Sequence, residues 1–97
     1  MKRLEIIANQ SVQENILQRL ETHIEGFSYT LIPVVHGKGK NCARLGTAIW
    51  PEENCMIISY LPDQMADLAA SLVEAVKRLF PQEGIKLFVI ETNQNSE

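Results

Sequence analysis

Gly37-Lys38-Gly39-Lys40-Asn41 is the stretch of this chain whose residue types come nearest to chemistry. Glycine frees the backbone so that neighbouring N–H groups can turn toward one point, and two ammonium groups beside them favour a phosphate or carboxylate there. Arg44 adds a third cation shortly after. The spacing is not a Walker motif: it suits an anion without naming one, and a solvated hinge with incidental lysines has the same composition. His36 and Cys42 flank the stretch, and Cys55 follows it. Zinc and copper sites need three or four converging ligands, and these three have no recognised spacing. Cys55 therefore reads as a strand-core residue, and a metal at His36 and Cys42 would need ligands from a second copy. Trp50 with Glu52 and Glu53 reads as a partner-binding tip, since an exposed tryptophan is a typical anchor, or as a segment packed on a neighbouring subunit. No carboxylate is paired with a nucleophile or base, so the chain is expected to bind and not to catalyse.

These residues are positioned by elements legible from periodicity. Residues 2–8 alternate, with Leu4, Ile6 and Ala8 on one side and Arg3, Glu5 and Ile7 on the other, as in a strand. Ser11 to Glu14 fits a capping box, and Val12, Ile16, Leu17, Leu20 and Ile24 form an apolar stripe, predicting a helix over 12–24 closed by Gly26. Residues 27–36 read as a second strand, with Pro33 requiring an edge or a bulge. A loop over 37–46, a short extended piece at 47–50 and a turn at 51–54 lead to a strand at 55–60. A helix over 63–80 follows, opened by Pro62 and Asp63 and striped by Met65, Leu68, Leu72, Val76, Leu79 and Phe80 with Ala69, Val73 and Ala75 widening the face, then a last strand at 85–90.

The order β-α-β-β-α-β predicts an α+β, ferredoxin-like sandwich, one domain over 1–91 with a frayed polar tail at 92–97. Both helices would cover one sheet face. The other face is apolar as well, with Met56, Ile58, Tyr60, Phe88 and Ile90, so further subunits are expected to cover it.

Ninety-seven residues allow a single core, and 45% hydrophobic with 22% charged residues is the composition of a folded domain. A net charge of −3 supplies no general attraction to nucleic acid or an anionic membrane. No stretch approaches the roughly 20 apolar residues of a membrane span, and there is no signal-peptide pattern, so a cytoplasmic location without membrane insertion is expected.

The strand that feeds Gly37 through Asn41, with Leu61-Pro62-Asp63 before the second helix, resembles the PII signalling family over about residues 2–91. PII proteins carry a Gly-aromatic-Gly-basic-Gln stretch where their T-loop leaves the second strand, and a Pro-Asp pair where the second helix begins. The resemblance implies a homotrimer packed sheet to sheet, with a small anionic ligand between subunits. It also implies that the loop 37–54 contacts a transporter, enzyme or regulator. Gly37, Lys38, Gly39, Lys40, Asn41, Arg44 and Lys86 are the ligand residues it suggests. The family's Thr-Gly-x-x-Gly-Asp-Gly-Lys phosphate loop is replaced here by Phe80-Pro81-Gln82-Glu83-Gly84-Ile85-Lys86, and only Lys86 carries over. A nucleotide cofactor is thus possible, with ATP binding expected to be far weaker than at a PII site. The chain is similar in build also to the CutA divalent-ion tolerance proteins, which makes metal binding the alternative.

Overall fold

The structure is a computed structural model, and it describes residues 1–37 and 53–93. Strand β1 (Lys2–Asn9) runs into a 3₁₀ turn (Gln10–Val12) and helix α1 (Gln13–His23). Strand β2 (Thr30–Val35), strand β3 (Asn54–Leu61), helix α2 (Asp63–Leu79) and strand β4 (Ile85–Glu91) complete the chain. All pairings are antiparallel, and the sheet order is β2-β3-β1-β4. This is the expected ferredoxin-like arrangement.

Strand alternation decides which face holds the core. Leu4, Ile6 and Ala8 of β1 and Cys55, Ile57, Ser59 and Leu61 of β3 are buried beneath the helices, and Ile85 joins them from β4. From the helices come Ile16, Leu17 and Leu20 of α1 and Ala66, Ala69, Val73 and Val76 of α2. Ser59 is the buried polar residue of this core, and its hydroxyl donates to the Ser28 carbonyl at 2.7 Å, fixing the chain just before β2.

Several local expectations need correction. The capping box does not form: α1 begins at Gln13 with no side-chain cap on Val12, and the Ser11 hydroxyl instead donates to Glu83 Oε1 at 2.8 Å. The cap belongs to the 3₁₀ turn, where Asn9 Oδ1 accepts from the Ser11 N–H at 2.9 Å. In α2 the expected Ala69, Leu72, Val73 and Val76 are buried, but the edges of the expected face differ. Ala66 and Ala69 are fully buried because their small side chains admit the sheet closely, whereas Met65, Leu68 and Leu79 lie exposed on the flank. Pro62 precedes the helix as its cap residue, its carbonyl accepting from the Ala66 N–H, and Asp63 turns to the N-terminal ammonium at 3.0 Å. Thr92 is held rather than frayed, with its N–H and hydroxyl both donating to the Met1 carbonyl. Strand β2 starts at Thr30, later than expected, but it is an edge strand and its register shifts between Ile32 and Val35 around Pro33. Gly26 takes φ +70°, the left-handed conformation that closes the turn after α1.

Candidate functional site

The loop that carries the anion-seeking residues is rooted at one end of the sheet. Its first strand ends where Val35 pairs with Asn54, and Asn54 in turn pairs with Asn9 of β1. The turn after β1 reaches from there to three neighbours. The Gln10 N–H donates to the Glu53 carbonyl at 3.1 Å, the Gln10 side-chain amide donates to the Pro33 carbonyl, and the Asn9 N–H donates to the Gly84 carbonyl at 2.9 Å. The Ser11 bond to Glu83 completes a clasp that joins both roots of the loop to the turn before β4.

That turn is where the resemblance placed a phosphate loop. Glu83 closes it by donating its N–H to the Phe80 carbonyl at 3.0 Å, and its carboxylate takes the Ser11 hydroxyl. A carboxylate here is the wrong sign for holding phosphate, and one glycine, Gly84, replaces the glycines of the usual cradle.

Of the suggested ligand residues, Gly37 and Lys86 fall among the described ones, both exposed. They are not brought together. Gly37 follows β2 at one edge of the sheet and Lys86 stands on β4 at the other, separated across the sheet by three strand spacings or roughly 14 Å. Lys86 pairs with Ile7 and so stands on the sheet face opposite the helices. Lys38, Gly39, Lys40, Asn41 and Arg44 lie outside the described residues, as do Trp50 and Glu52, while Glu53 is exposed and enters the clasp through its carbonyl. Of the suggested metal pair, His36 is exposed and Cys42 lies outside the described residues. No cluster of three or more His, Cys, Asp or Glu gathers among the described residues. Cys55 is wholly buried, and burial pushes its thiol pKa up against the opposing backbone hydrogen bonds from Cys55 and Ala8.

The second part of the site is the open sheet face. Ile7, Met56 and Ile58 are half-buried there, and Tyr60, Phe88 and Ile90 keep 54%, 47% and 42% of their exposure. By cross-strand register Ile7 faces Met56, while Glu5 lies between Ile58 and Phe88 and Arg3 between Tyr60 and Ile90, so the apolar side chains flank a polar pair. Sequence reasoning found this apolar face but missed the clasp, because Ser11 and Glu14 offered a convincing local pairing and the partners Glu53, Glu83 and Pro33 are remote in sequence.

No family model matches the sequence, and no curated protein matches it. Solved structures do. CPII from Thiomonas intermedia, bound to ADP and bicarbonate, matches with a TM-score of 0.63 at 26% identity, over 91% of this chain and 81% of that one. The same protein, described as a nitrogen regulatory PII-like protein, matches in its form bound to ADP, AMP and bicarbonate with a TM-score of 0.60 at 21% identity, over 98% and 94%. A protein from Thermus thermophilus described as PII-like in signalling matches with a TM-score of 0.59 at 15% identity, over 91% and 82%. The sheet order, the two helices on one face and the loop rooted between β2 and β3 are thus those of the PII-like class. The chain is a divergent PII-like protein by fold, and the turn before β4 is where its sequence departs from the PII motif.

Proposed function

We propose that the chain is a ligand-responsive regulatory protein that acts as a homotrimer in the cytoplasm and catalyses no reaction. A small anionic ligand binds between subunits, and the loop 37–54 carries the response to a partner such as a transporter, an enzyme or a regulator. The observation that carries this reading is the placement of Gly37 and Lys86 on opposite edges of a sheet whose open face is apolar. One chain cannot close a site with both, but a neighbour packed on that face can bring its β4 edge toward the loop root of the next. CPII binds ADP, AMP and bicarbonate, which makes these the first ligands to test.

The test is calorimetry and thermal shift with AMP, ADP, ATP and bicarbonate on the wild type, on Lys86→Ala and on Lys38→Ala/Lys40→Ala. The expected result is binding of at least one anion, weakened by each variant, with ATP the poor member of the set. Binding that survives both variants unchanged, or no binding by any of the four, would overturn the proposal. Stoichiometric zinc or copper in untagged protein would favour the metal-handling alternative.

A further inference from the structure

Besides Lys86 on β4, the open face carries an ion-paired group nearer its middle. On β1, next to the centre of the sheet, Arg3 Nε donates to Glu5 Oε2 at 2.8 Å. Tyr60 stands opposite Arg3 in the β1–β3 register. Its hydroxyl oxygen accepts from Arg3 Nη1 at 2.9 Å, and the guanidinium carbon lies 5.8 Å from its ring centroid. Cross-strand neighbours of the pair are Ile58, Phe88 and Ile90.

The group is already partly withdrawn from water, since the Arg3 and Glu5 side chains keep 30% and 20% of their exposure. A guanidinium has five N–H donors. Those not given to Glu5 and Tyr60, together with Glu5 Oε1, have no partner among the described residues. Covering the face with apolar side chains alone would strand these groups, at a cost that a buried charge does not recover. A free anion would meet Glu5, and a free cation would meet Arg3. A surface that presents spare donors and a spare acceptor side by side complements both, and an identical surface is one that does so.

Resting on the homo-oligomer reading above, we propose that the Arg3–Glu5–Tyr60 group sets how a second copy of this chain seats on the open face. The spare guanidinium N–H groups of one copy pair with the spare Glu5 oxygen of the next. The group is then a polar register within an otherwise non-directional apolar contact.

The test mixes wild type with the charge-swapped variant Arg3→Glu/Glu5→Arg. The swap keeps the pair within each chain and within each pure assembly, but sets like charges against each other wherever the two kinds of chain meet. After joint refolding, native mass spectrometry should show the two pure assemblies, with hybrids depleted at least about tenfold. A binomial mixture of hybrids would overturn the inference while leaving the assembly itself standing; a monomeric wild type would remove both. Should the swapped chain not fold, Arg3→Met and Arg3→Met/Glu5→Met decide. The single change leaves the carboxylate stranded and should raise the concentration for half-dissociation about a hundredfold or more, and the double change should restore assembly. A single variant that assembles like wild type would overturn the inference.

Discussion

Ile58 is the position at which the assembly can be tested without touching the core. It lies on the open face of β3, half-buried, opposite Thr30 on one side and Glu5 on the other. In an isolated subunit Ile58→Asp sets a carboxylate beside the Glu5 carboxylate, while Arg3 is already engaged with Glu5 and Tyr60. Like charges directly opposite cost roughly 0.2–1 kcal/mol, too little to unfold a domain of ordinary stability. If another subunit covers the face, the same carboxylate becomes a buried, unpaired charge costing about 3–5 kcal/mol, which raises the dissociation constant between about a hundredfold and a few thousandfold. Sedimentation velocity over a concentration series should therefore show a folded monomer where the wild type is a trimer. The neighbouring change Ile57→Asp is the contrast, since Ile57 is wholly buried beneath the helices and its replacement should abolish the fold, read by circular dichroism. An Ile58→Asp protein that stays assembled at wild-type concentrations would refute the reasoning.

Three further outcomes follow from the geometry. Glu83→Gln keeps an acceptor for Ser11 and removes the charge from the turn before β4, so binding of phosphate-bearing ligands should tighten about fivefold, corresponding to about 1 kcal/mol between nearby charges in a wet site; calorimetry with AMP and ADP reads it. In a Cys42→Ser background, Cys55 should react with a thiol reagent only after denaturant is added, because burial shields it and holds its thiol pKa up. The hydrogen bond from the N-terminal ammonium holds the Asp63 carboxyl below its usual range against desolvation, with the charges of that ammonium and of Lys2 adding smaller effects. Its stabilising effect is present above the ordinary aspartate pKa of about 3.9 and is lost as pH falls through the depressed value, so Asp63→Asn should flatten that part of an acid-unfolding curve.

The fold was legible in the sequence because its signals are local. The alternation of Leu4, Ile6 and Ala8, the stripe from Val12 to Ile24 and the proline at position 33 each dictate a conformation from neighbours alone. The face of α2 was read with its middle right, at Leu72, Val73 and Val76, and its edge wrong, because hydropathy favours Met65, Leu68 and Leu79 over Ala66. Close packing on a sheet instead selects the small side chain of Ala66. The clasp was illegible for a different reason. Asn9, Gln10 and Ser11 are ordinary polar residues until register brings Pro33, Glu53 and Gly84 beside them. Arg3 and Glu5 were visibly on one face, yet Tyr60 becomes their partner only through the β1–β3 pairing. Lys86 and Gly37 were suggested for one site between subunits, and the strand order sets them at opposite edges within a chain.

The clasp also bears on how such a protein can change over evolutionary time. The Val35–Asn54 pairing and the Gln10 bonds to Pro33 and Glu53 hold the two ends between which residues 38–52 run. Lengthening a segment anchored in this way costs only about 0.6 kcal/mol for each doubling, provided the roots keep their partners. An insertion between the two roots should thus leave the described sheet and core in place. Substitutions at the half-buried Gln10 would carry further than its place outside the core suggests, since they release the anchor on which that freedom to diversify depends.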